Sequence, residues 1–270
     1  MARCLILSPK NVITGIPLKA SESYLSTIEK LKRDYRGAWH VQAWSAGYFT
    51  IYGSLADADA DLIADTFALT RHGLPDGATV RLRLYAAVFA QGTVPSGTPA
   101  YDSGTLPAST SGLYSSGTAD WFVKSVTPVT FKSFALTVSS LPASGRANLF
   151  SLFMGLDIGL TAGFGFNATF RQVDGTEFAR TVSGGTVVKK YGAITRVMTM
   201  PLELLSGDDR GKLSDAERNY RSNAWFMCGY PSGENWQKLE YTFLGLPETN
   251  GYGRSGHGAY NTSTLILREI

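Results

Sequence analysis

Ser103 lies in the segment PAYDSGTLPAS (residues 99–109), and a serine beside a carboxylate is the first candidate for nucleophilic chemistry in this chain. A serine hydrolase of the α/β type places its nucleophile in Gly-x-Ser-x-Gly, on a turn between a strand and a helix. The segment here lacks the first Gly, no helical pattern follows it, and the three histidines (His40, His72 and His257) occur in unrelated settings. The residues therefore favour a tight turn, because Asp-Ser-Gly supplies an Asx-type hydrogen bond and a residue that tolerates positive φ.

Acidic residues raise a second possibility, which is a calcium loop. Asp57, Asp59 and Asp61 fit the first three ligand positions of such a loop. Leu62 stands where the loop needs Gly, and Ala68 stands where it needs a bidentate Glu. We therefore interpret the run as a solvated connector between strands.

Asp208 and Asp209 form another pair of carboxylates, in the first turn of a predicted helix. The positive end of the helix dipole favours negative charge there without any chemistry. No Cys or His pair has metal-ligand spacing, and no Gly-rich phosphate loop follows a strand. The sequence thus predicts no metal, no cofactor and no catalytic residue.

Three further groups have a structural and a binding interpretation. Lys189 and Lys190 beside Tyr191 can contact a phosphate or form a solvated hairpin tip, and His257 can be a contact residue or part of a flexible linker. The tryptophans can form a sugar platform, although on strands they more often fill a core; they are Trp39, Trp44, Trp121, Trp225 and Trp236.

Composition excludes several classes of protein. Charged residues are 17% of the 270 residues, against ~25% in ordinary soluble domains, which suggests that part of the surface faces other protein. The net charge of +3 is too small for a nucleic-acid binder. No run is apolar enough for a membrane helix, and the apolar run Cys4–Leu7 is too short for a signal peptide core. Synthesis in the cytoplasm is therefore expected, with Cys4 and Cys228 as buried apolar residues.

Alternating patterns dominate the first half of the chain. The clearest strand is TVRLRLYAAVF, in which Val80, Leu82 and Leu84 alternate with Arg81, Arg83 and Tyr85, so that the two arginines lie on the face opposite the aliphatic residues. Residues 21–35 predict a short helix. Residues 91–119 are rich in Gly, Ser, Thr and Pro and predict a long exposed loop or arm that becomes ordered against a neighbour.

The second half predicts a hairpin series followed by one helix. Turns are expected at Gly175 and at the Gly184–Gly185 pair, and the helix is expected near residues 207–223 with Ser206 as its cap. We predict a mainly β protein with two domains, a β-sandwich over residues 1–159 and a β-rich assembly domain over residues 160–270.

The order of these segments resembles a known family. L-I-L-S-P-x-N at the N-terminus, I-Y-G-S-L, F-A-L-T-R-H-G-L, G-A-T-V-R-L-R-L-Y and Y-D-S-G-T-L-P are similar to the galactose-binding-like jelly-roll module in minor tail and distal tail proteins of long-tailed bacteriophages, over about residues 1–158. S-G-G-T-V-V-K-K-Y-G-A-I-T-R and the final L-I-L-R-E-I are similar to the C-terminal part of the same proteins.

This resemblance implies a structural virion protein of the tail tip (distal tail or baseplate type), assembled in the host cytoplasm. It implies a homo-oligomeric ring, with a hexamer favoured and a trimer second, that joins the tail tube to hub, tape-measure or host-binding components. The alternative is a carbohydrate-binding module that recognises a host-surface glycan. Neither function is enzymatic, and no membrane insertion or specific nucleic acid is expected.

Overall fold

The computed structural model describes residues 5–22, 27–32, 40–109, 119–161, 168–173, 176–180, 186–190, 195–229, 241–248, 251–254 and 261–269. Within these residues the chain is mainly β with one α-helix, which confirms the predicted fold class. The helices are two 3₁₀ turns, Val12–Gly15 and Ile28–Lys32, and α1 (Gly207–Tyr220). The strands are β1 (Ile6–Ser8), β2 (Leu18–Ala20), β3 (His40–Trp44), β4 (Phe49–Ser54), β5 (Leu62–His72), β6 (Thr79–Tyr85), β7 (Tyr101–Asp102), β8 (Leu106–Pro107), β9 (Ala119–Phe131), β10 (Ser133–Ser139), β11 (Gly145–Leu149), β12 (Ser151–Gly155), β13 (Thr169–Val173), β14 (Thr176–Arg180), β15 (Thr186–Lys190), β16 (Thr195–Leu205), β17 (Trp225–Cys228), β18 (Thr242–Pro247), β19 (Gly251–Arg254) and β20 (Asn261–Glu269).

The chain divides into two compact units. The first contains Met1–Gly159 and Asn223–Leu244, and the second contains Leu160–Ser222 and Gly245–Ile270. The predicted second domain, residues 160–270, is therefore interrupted. Residues 223–244 return to the first unit because β17 pairs antiparallel with the N-terminal strand β1, with Leu7 opposite Met227.

The first unit is a β-sandwich around one apolar core. One sheet has the order β2-β4-β10-β6-β7, with β8 also paired to β6, and the other has the order β12-β5-β9. The alternation predicted for β6 is present, since Val80, Leu82 and Leu84 are fully buried in the core. The facing sheet contributes buried residues to the same cluster, among them Phe67, Leu69, Trp121, Leu152 and Met154.

Aromatic contacts cover the outer face of the three-stranded sheet. Phe226 of β17 stacks on Phe153 with ring centroids 5.6 Å apart, and it contacts Phe122 at 6.1 Å. The pairing of β17 with β1 thus gives the sandwich a further layer, built from the two sequence ends of the first unit.

Side chains occupy the outer edges of both sandwich sheets. Glu29 accepts the backbone N–H of Leu18 at 2.8 Å and so occupies the edge of β2. Asn11 occupies the edge of β12, where its side chain donates to Leu152 O at 2.9 Å and accepts from Met154 N–H at 3.1 Å. Such devices block the main-chain groups that otherwise pair with another chain.

A bulge interrupts the remaining edge of the three-stranded sheet. Ala64 pairs with Val129 and Thr66 pairs with Lys124, so four residues of β9 (Ser125–Pro128) stand opposite Asp65 alone. Val126 is fully exposed at this bulge, and Pro128 has no N–H to donate. Apart from the proline, no residue pattern in this segment indicates the bulge.

Two buried carboxylates share one lysine beside the bulge. Lys124 Nζ lies 2.8 Å from Asp65 Oδ2 and 3.0 Å from Asp157 Oδ2. Asp157 Oδ1 accepts the N–H groups of Leu7 and Gly159, each at 3.1 Å. This Asp65–Lys124–Asp157 cluster therefore fastens β1, β5, β9 and the segment that leaves β12 to one another.

The described part of the second unit consists of antiparallel strands and the helix. β20 pairs with β16, with residues Gly245–Pro247 of β18 and with β19, and β13 pairs with the other side of β16. Arg196 and Glu269 form a buried ion pair across β16 and β20, with Nη2 2.6 Å from Oε1. The helix starts at the predicted cap, where Ser206 Oγ accepts the N–H of Asp209, and it ends at Tyr220, short of the predicted residue 223.

The helix predicted over residues 21–35 is wrong for the described part of that segment, where only the five-residue 3₁₀ turn Ile28–Lys32 forms. Ile28 and Leu31 are buried, as the apolar pattern requires, but the short turn suffices to bury them. Residues 23–26 and 33–35 of the prediction lie outside the described residues.

We expect Lys124→Met to lower the free energy of unfolding by about 3 kcal/mol, because it leaves two buried carboxylates without their cation. Urea unfolding followed by circular dichroism measures this. The matched control is Lys132→Met, which removes a partner of the half-exposed Asp61 at 3.5 Å and should cost under about 1 kcal/mol. Equal losses in the two variants would contradict a structural role for the cluster.

Candidate functional site

Ser103 lies in the turn between β7 and β8, as the turn interpretation expects. Its N–H donates to Leu82 O at 2.9 Å, and its hydroxyl accepts from Leu82 N–H at 2.9 Å and donates to Gly104 O at 2.8 Å. Gly104 has a φ of +67°. The serine hydroxyl is thus bound to main chain on both sides and serves to hold the turn on β6.

Within the long loop or arm predicted over residues 91–119, residues 91–109 form a mostly exposed loop that includes the two short strands β7 and β8. Tyr101 stacks on Phe67 with centroids 5.4 Å apart, and Ala108 is buried and donates its N–H to Ala78 O at 2.9 Å. Residues of this segment attach to β6 mainly through main-chain hydrogen bonds. Such bonds form even where large side chains are scarce. Residues 110–118 of the predicted arm lie outside the described residues.

His72 is buried at the end of β5 and lines a cleft of about 230 Å³ with Pro75, Asp76, Thr79 and Pro107 among its neighbours. Nε2 lies 2.8 Å from Ala108 O and Nδ1 lies 3.5 Å from Leu74 N, so the neutral ring donates to one and accepts from the other. Burial lowers the pKa of His72 to about 4, which the bond to Ala108 offsets only in part. The imidazole is therefore neutral near pH 7 and fastens the β8 segment to the sandwich.

The other candidates from the sequence serve structural roles where they are described. Asp59 accepts Ala56 N–H at 3.2 Å, and Asp61 pairs with Lys132 in the exposed connector before β5. His40 is buried beside Gln42, with Nε2 3.0 Å from Oε1. No three His, Cys, Asp or Glu side chains gather as a metal-ligand set in the described part of the chain.

Asp209 is buried and accepts hydrogen bonds from the N–H and the hydroxyl of Thr161, whereas Asp208 is exposed. Asp209 therefore has a structural role, and Asp208 is exposed to solvent. Cys228 is buried and accepts a hydrogen bond from Thr242 Oγ1 at 3.2 Å, which confirms the apolar-residue interpretation.

Three of the five tryptophans are core residues. Trp44, Trp121 and Trp225 are buried, so the core-filling interpretation is confirmed for them and they form no sugar platform. Five further candidates lie outside the described residues, namely Cys4, Trp39, Tyr191, Trp236 and His257. Lys189 and Lys190 are described by their backbone alone.

The outer face of the six-stranded sheet carries the two arginines that the alternation of β6 predicts there. Lys19, Tyr52, Ala135, Arg83 and Asp102 are neighbours in one row across β2, β4, β10, β6 and β7. The loop after β6 covers part of this row, where Phe89 and Val94 pack against Tyr52 and Ala135.

A second row on this face consists of Thr50, Thr137 and Arg81. The two hydroxyls lie 3.1 Å apart, and Arg81 Nε lies 2.9 and 3.1 Å from the two carboxylate oxygens of Asp102. Hydrogen bonding to Arg81 lowers the pKa of Asp102, with a smaller contribution from the charge of Arg83. The face therefore has an ionised Arg81–Asp102 pair beside a second cation.

The hairpin predicted around Gly184–Gly185 is present and continues an existing strand pair. β13 and β16 pair up to Val173 opposite Thr195, and the next two strands then pair from Thr176 opposite Lys190 to Arg180 opposite Thr186. We call β14 with β15 the ribbon. It is a separate two-stranded sheet, and no other described strand pairs with it. A two-stranded hairpin is marginally stable alone, so the ribbon is the part of the described fold that most needs a partner.

Comparison with known proteins gives no family. No protein family model matches the chain, and no curated protein sequence matches it. Two solved structures of a GH29 fucosidase from Ruminococcus gnavus in complex with fucose, one of them a mutant, are similar at 10% identity, with TM-scores of 0.38 for the mutant and 0.36 for the other. Each covers 55% of this chain, which spans 27% of the fucosidase. These likenesses assign neither a family nor an activity to the chain.

No described helix has both the length and the apolar character needed to cross a bilayer.

We expect the stability of the protein to depend on pH through His72. In the unfolded chain its pKa is 6.5 and in the folded chain it is about 4, so the unfolded state takes up the proton first as the pH falls. The stability that neutral His72 provides is therefore complete above pH 6.5 and is lost progressively towards pH 4, by about 3 kcal/mol in total.

The measurement is urea unfolding at intervals across this pH range for the wild type and for His72→Gln, whose amide can keep both hydrogen bonds. In the variant, the free energy of unfolding should fall less steeply between pH 6.5 and pH 4, because the contribution of His72 is absent. Parallel curves for the two proteins would show that burial of His72 does not set this dependence.

Proposed function

We propose that this protein is a structural component of the tail tip of a long-tailed bacteriophage. It forms a ring that joins the tail tube to hub or host-binding components, and it acts without catalysis. The sequence resemblance to minor and distal tail proteins suggests this role, and the low fraction of charged residues agrees with a surface that partly faces other protein. The protein is then located in the virion, at the tail tip, after assembly in the host cytoplasm.

The observation that carries the proposal is the unpartnered ribbon. β14 and β15 pair over five residue pairs, or roughly 16 Å of strand, and no further described strand flanks them. Sheet edges in the first unit are occupied by Glu29 and Asn11 or interrupted by the bulge at Ser125–Pro128. Because these edges of the first unit are protected and no described strand pairs with the ribbon, the ribbon is the strand-pairing surface that we propose.

We infer that the ribbon of one subunit adds to a sheet edge of the next. β13 is the terminal strand of the second unit's sheet among the described strands, and it is the acceptor that we propose. Such a contact is heterologous, and heterologous contacts close into rings when the rotation between subunits fits. Six copies are favoured by the resemblance to distal tail proteins, and three copies are the second choice.

We expect removal of residues 176–190 to leave a folded monomer. The deletion keeps the β13–β16 pair and joins it by six residues that include Asp174–Gly175, a good turn sequence. The purified wild type should form hexamers or trimers by light scattering, whereas the deletion variant should be monomeric with a melting temperature within a few degrees of the wild type.

The control is Lys189→Gln with Lys190→Gln, which changes the charge of the ribbon but keeps its main chain and should still assemble. A wild type that remains monomeric at every concentration, or a deletion variant that assembles like the wild type, would contradict the proposal.

A further inference from the structure

We propose that Lys124 and Asp157 become joined by an isopeptide bond, which is an amide between their side chains, and that Asp65 transfers a proton in this step. The reaction is a single self-modification of the folded chain and consumes no other reagent. It does not depend on ring formation, because all three residues lie in the first unit.

The fold holds the three side chains in contact. Lys124 Nζ lies 3.0 Å from Asp157 Oδ2 and 2.8 Å from Asp65 Oδ2. An amine that is kept this close to a carboxyl group reacts at an effective concentration that free molecules do not reach. The amine is therefore next to a base and next to the carbon that it attacks, which is one bond beyond Asp157 Oδ2.

Burial of the site favours the uncharged product. The side chains of Asp157 and Asp65 are 1% and 8% exposed, and that of Lys124 is 20% exposed. Phe122 lies on the same face of β9 as Lys124 and contacts Phe226 of β17, so an apolar layer adjoins the site. A buried ion pair carries a desolvation cost, and formation of the amide removes the ammonium group and one of the two carboxylates.

Asp157 is the carboxyl group that receives the amine. Its Oδ1 accepts the main-chain N–H groups of Leu7 and Gly159, each at 3.1 Å. Two N–H groups on one oxygen stabilise the negative charge that develops there when a nucleophile adds to the carbon. The other oxygen, Oδ2, faces Lys124 and is the one that leaves as water.

Asp65 is placed to carry the proton. Its Oδ1 accepts the hydroxyl of Thr66 and the N–H of Asp157, each at 2.9 Å. These two bonds fix the carboxylate so that Oδ2 faces Lys124 Nζ, within the distance that general acid–base catalysis requires.

The atoms and charges of the reaction balance. Asp157 Oδ2 takes one proton from the ammonium group, and Nζ then attacks Cγ, so that the C–N bond forms and an electron pair moves onto Oδ1. Asp65 takes a second proton from the nitrogen and passes it to Oδ2. The Cγ–Oδ2 bond then breaks and one water leaves. The third proton stays on the amide nitrogen, and Asp65 ends as the carboxylate that it was at the start.

The bond spans the three-stranded sheet. Strand β5 lies between β12 and β9, and the bond joins Lys124 in β9 to Asp157 just after β12. The two outer strands therefore stay connected even where hydrogen bonds to the middle strand break. The covalent loop over residues 124–157 also restricts the unfolded chain, as a disulfide does.

The experiment is intact-mass spectrometry of the full-length protein in denaturing solvent, after incubation of the folded protein at neutral pH. Denaturation separates ion pairs, so only a covalent bond changes the mass. We expect a mass lower than that of the sequence by about 18 Da, which is one water. A tryptic digest should contain one branched peptide that joins Lys124 to Asp157.

Substitutions at the three positions assign the roles. Lys124→Arg keeps the positive charge but removes the amine, and it should keep its full mass, whereas the matched control Lys132→Arg should lose water like the wild type. Asp65→Asn removes the base and should keep its full mass. Asp157→Asn should lose ammonia, about 17 Da, and its product should have the same mass as the cross-linked wild type because the same amide forms. Circular dichroism checks that each variant is folded.

A wild type that keeps its full mass after prolonged incubation would overturn the proposal. Loss of water that persists in Lys124→Arg would also overturn it, because the water would then come from a reaction elsewhere in the chain. A branched peptide in Asp65→Asn would contradict the role of Asp65 as the base. Loss of ammonia from Asp65→Asn in place of Asp157→Asn would contradict the choice of Asp157 as the carboxyl group that receives the amine.

Discussion

The two faces of the six-stranded sheet are fixed by the register of β4, β10 and β6, and the rest of the first unit depends on that register. Leu136 lies between Ile51 and Leu82, and all three are buried in the core. A slip of one residue would move Arg81 and Arg83 into the core and Val80, Leu82 and Leu84 into solvent. The same constraint that forms the sandwich therefore also places Arg81 and Arg83 on the outer face, because successive side chains of a strand point to opposite faces of the sheet.

The Asp65–Lys124–Asp157 cluster lies at the other sheet, where it binds irregular backbone. Strand β9 has extra residues opposite Asp65, and Asp157 lies two residues after the end of β12. The two carboxylates accept N–H groups from Leu7, Gly159 and Asp157 itself, so irregular backbone at this point keeps its hydrogen bonds. Buried polar backbone needs such partners, and the cluster provides them where the ladder cannot.

Local patterns in the sequence predicted what depends on local forces. The alternation in β6 identified a strand and its two faces, Ser206 identified the start of α1, and Gly184–Gly185 identified the turn region of the ribbon. Contacts between distant segments were not predictable. Residues 223–244 return to the first unit because β17 pairs with β1, and Lys124 pairs with Asp65, 59 residues away. Residues 101–107 dock through main-chain bonds, which leave no mark in side-chain composition. Arg83 was placed on the correct face, but the hydrogen bonds of Arg81 to Asp102 depend on side-chain orientations that the alternation does not determine.

The bulge at Ser125–Pro128 bears on how this protein behaves before it meets any partner. A long edge strand with a regular main chain can pair with the same strand of another copy, and such pairing leads to aggregation. In β9, four residues that include a proline stand opposite the single residue Asp65. This irregularity removes the even spacing of N–H and C=O groups that strand pairing requires. The irregularity of this one strand therefore guards the sandwich against pairing through its β9 edge.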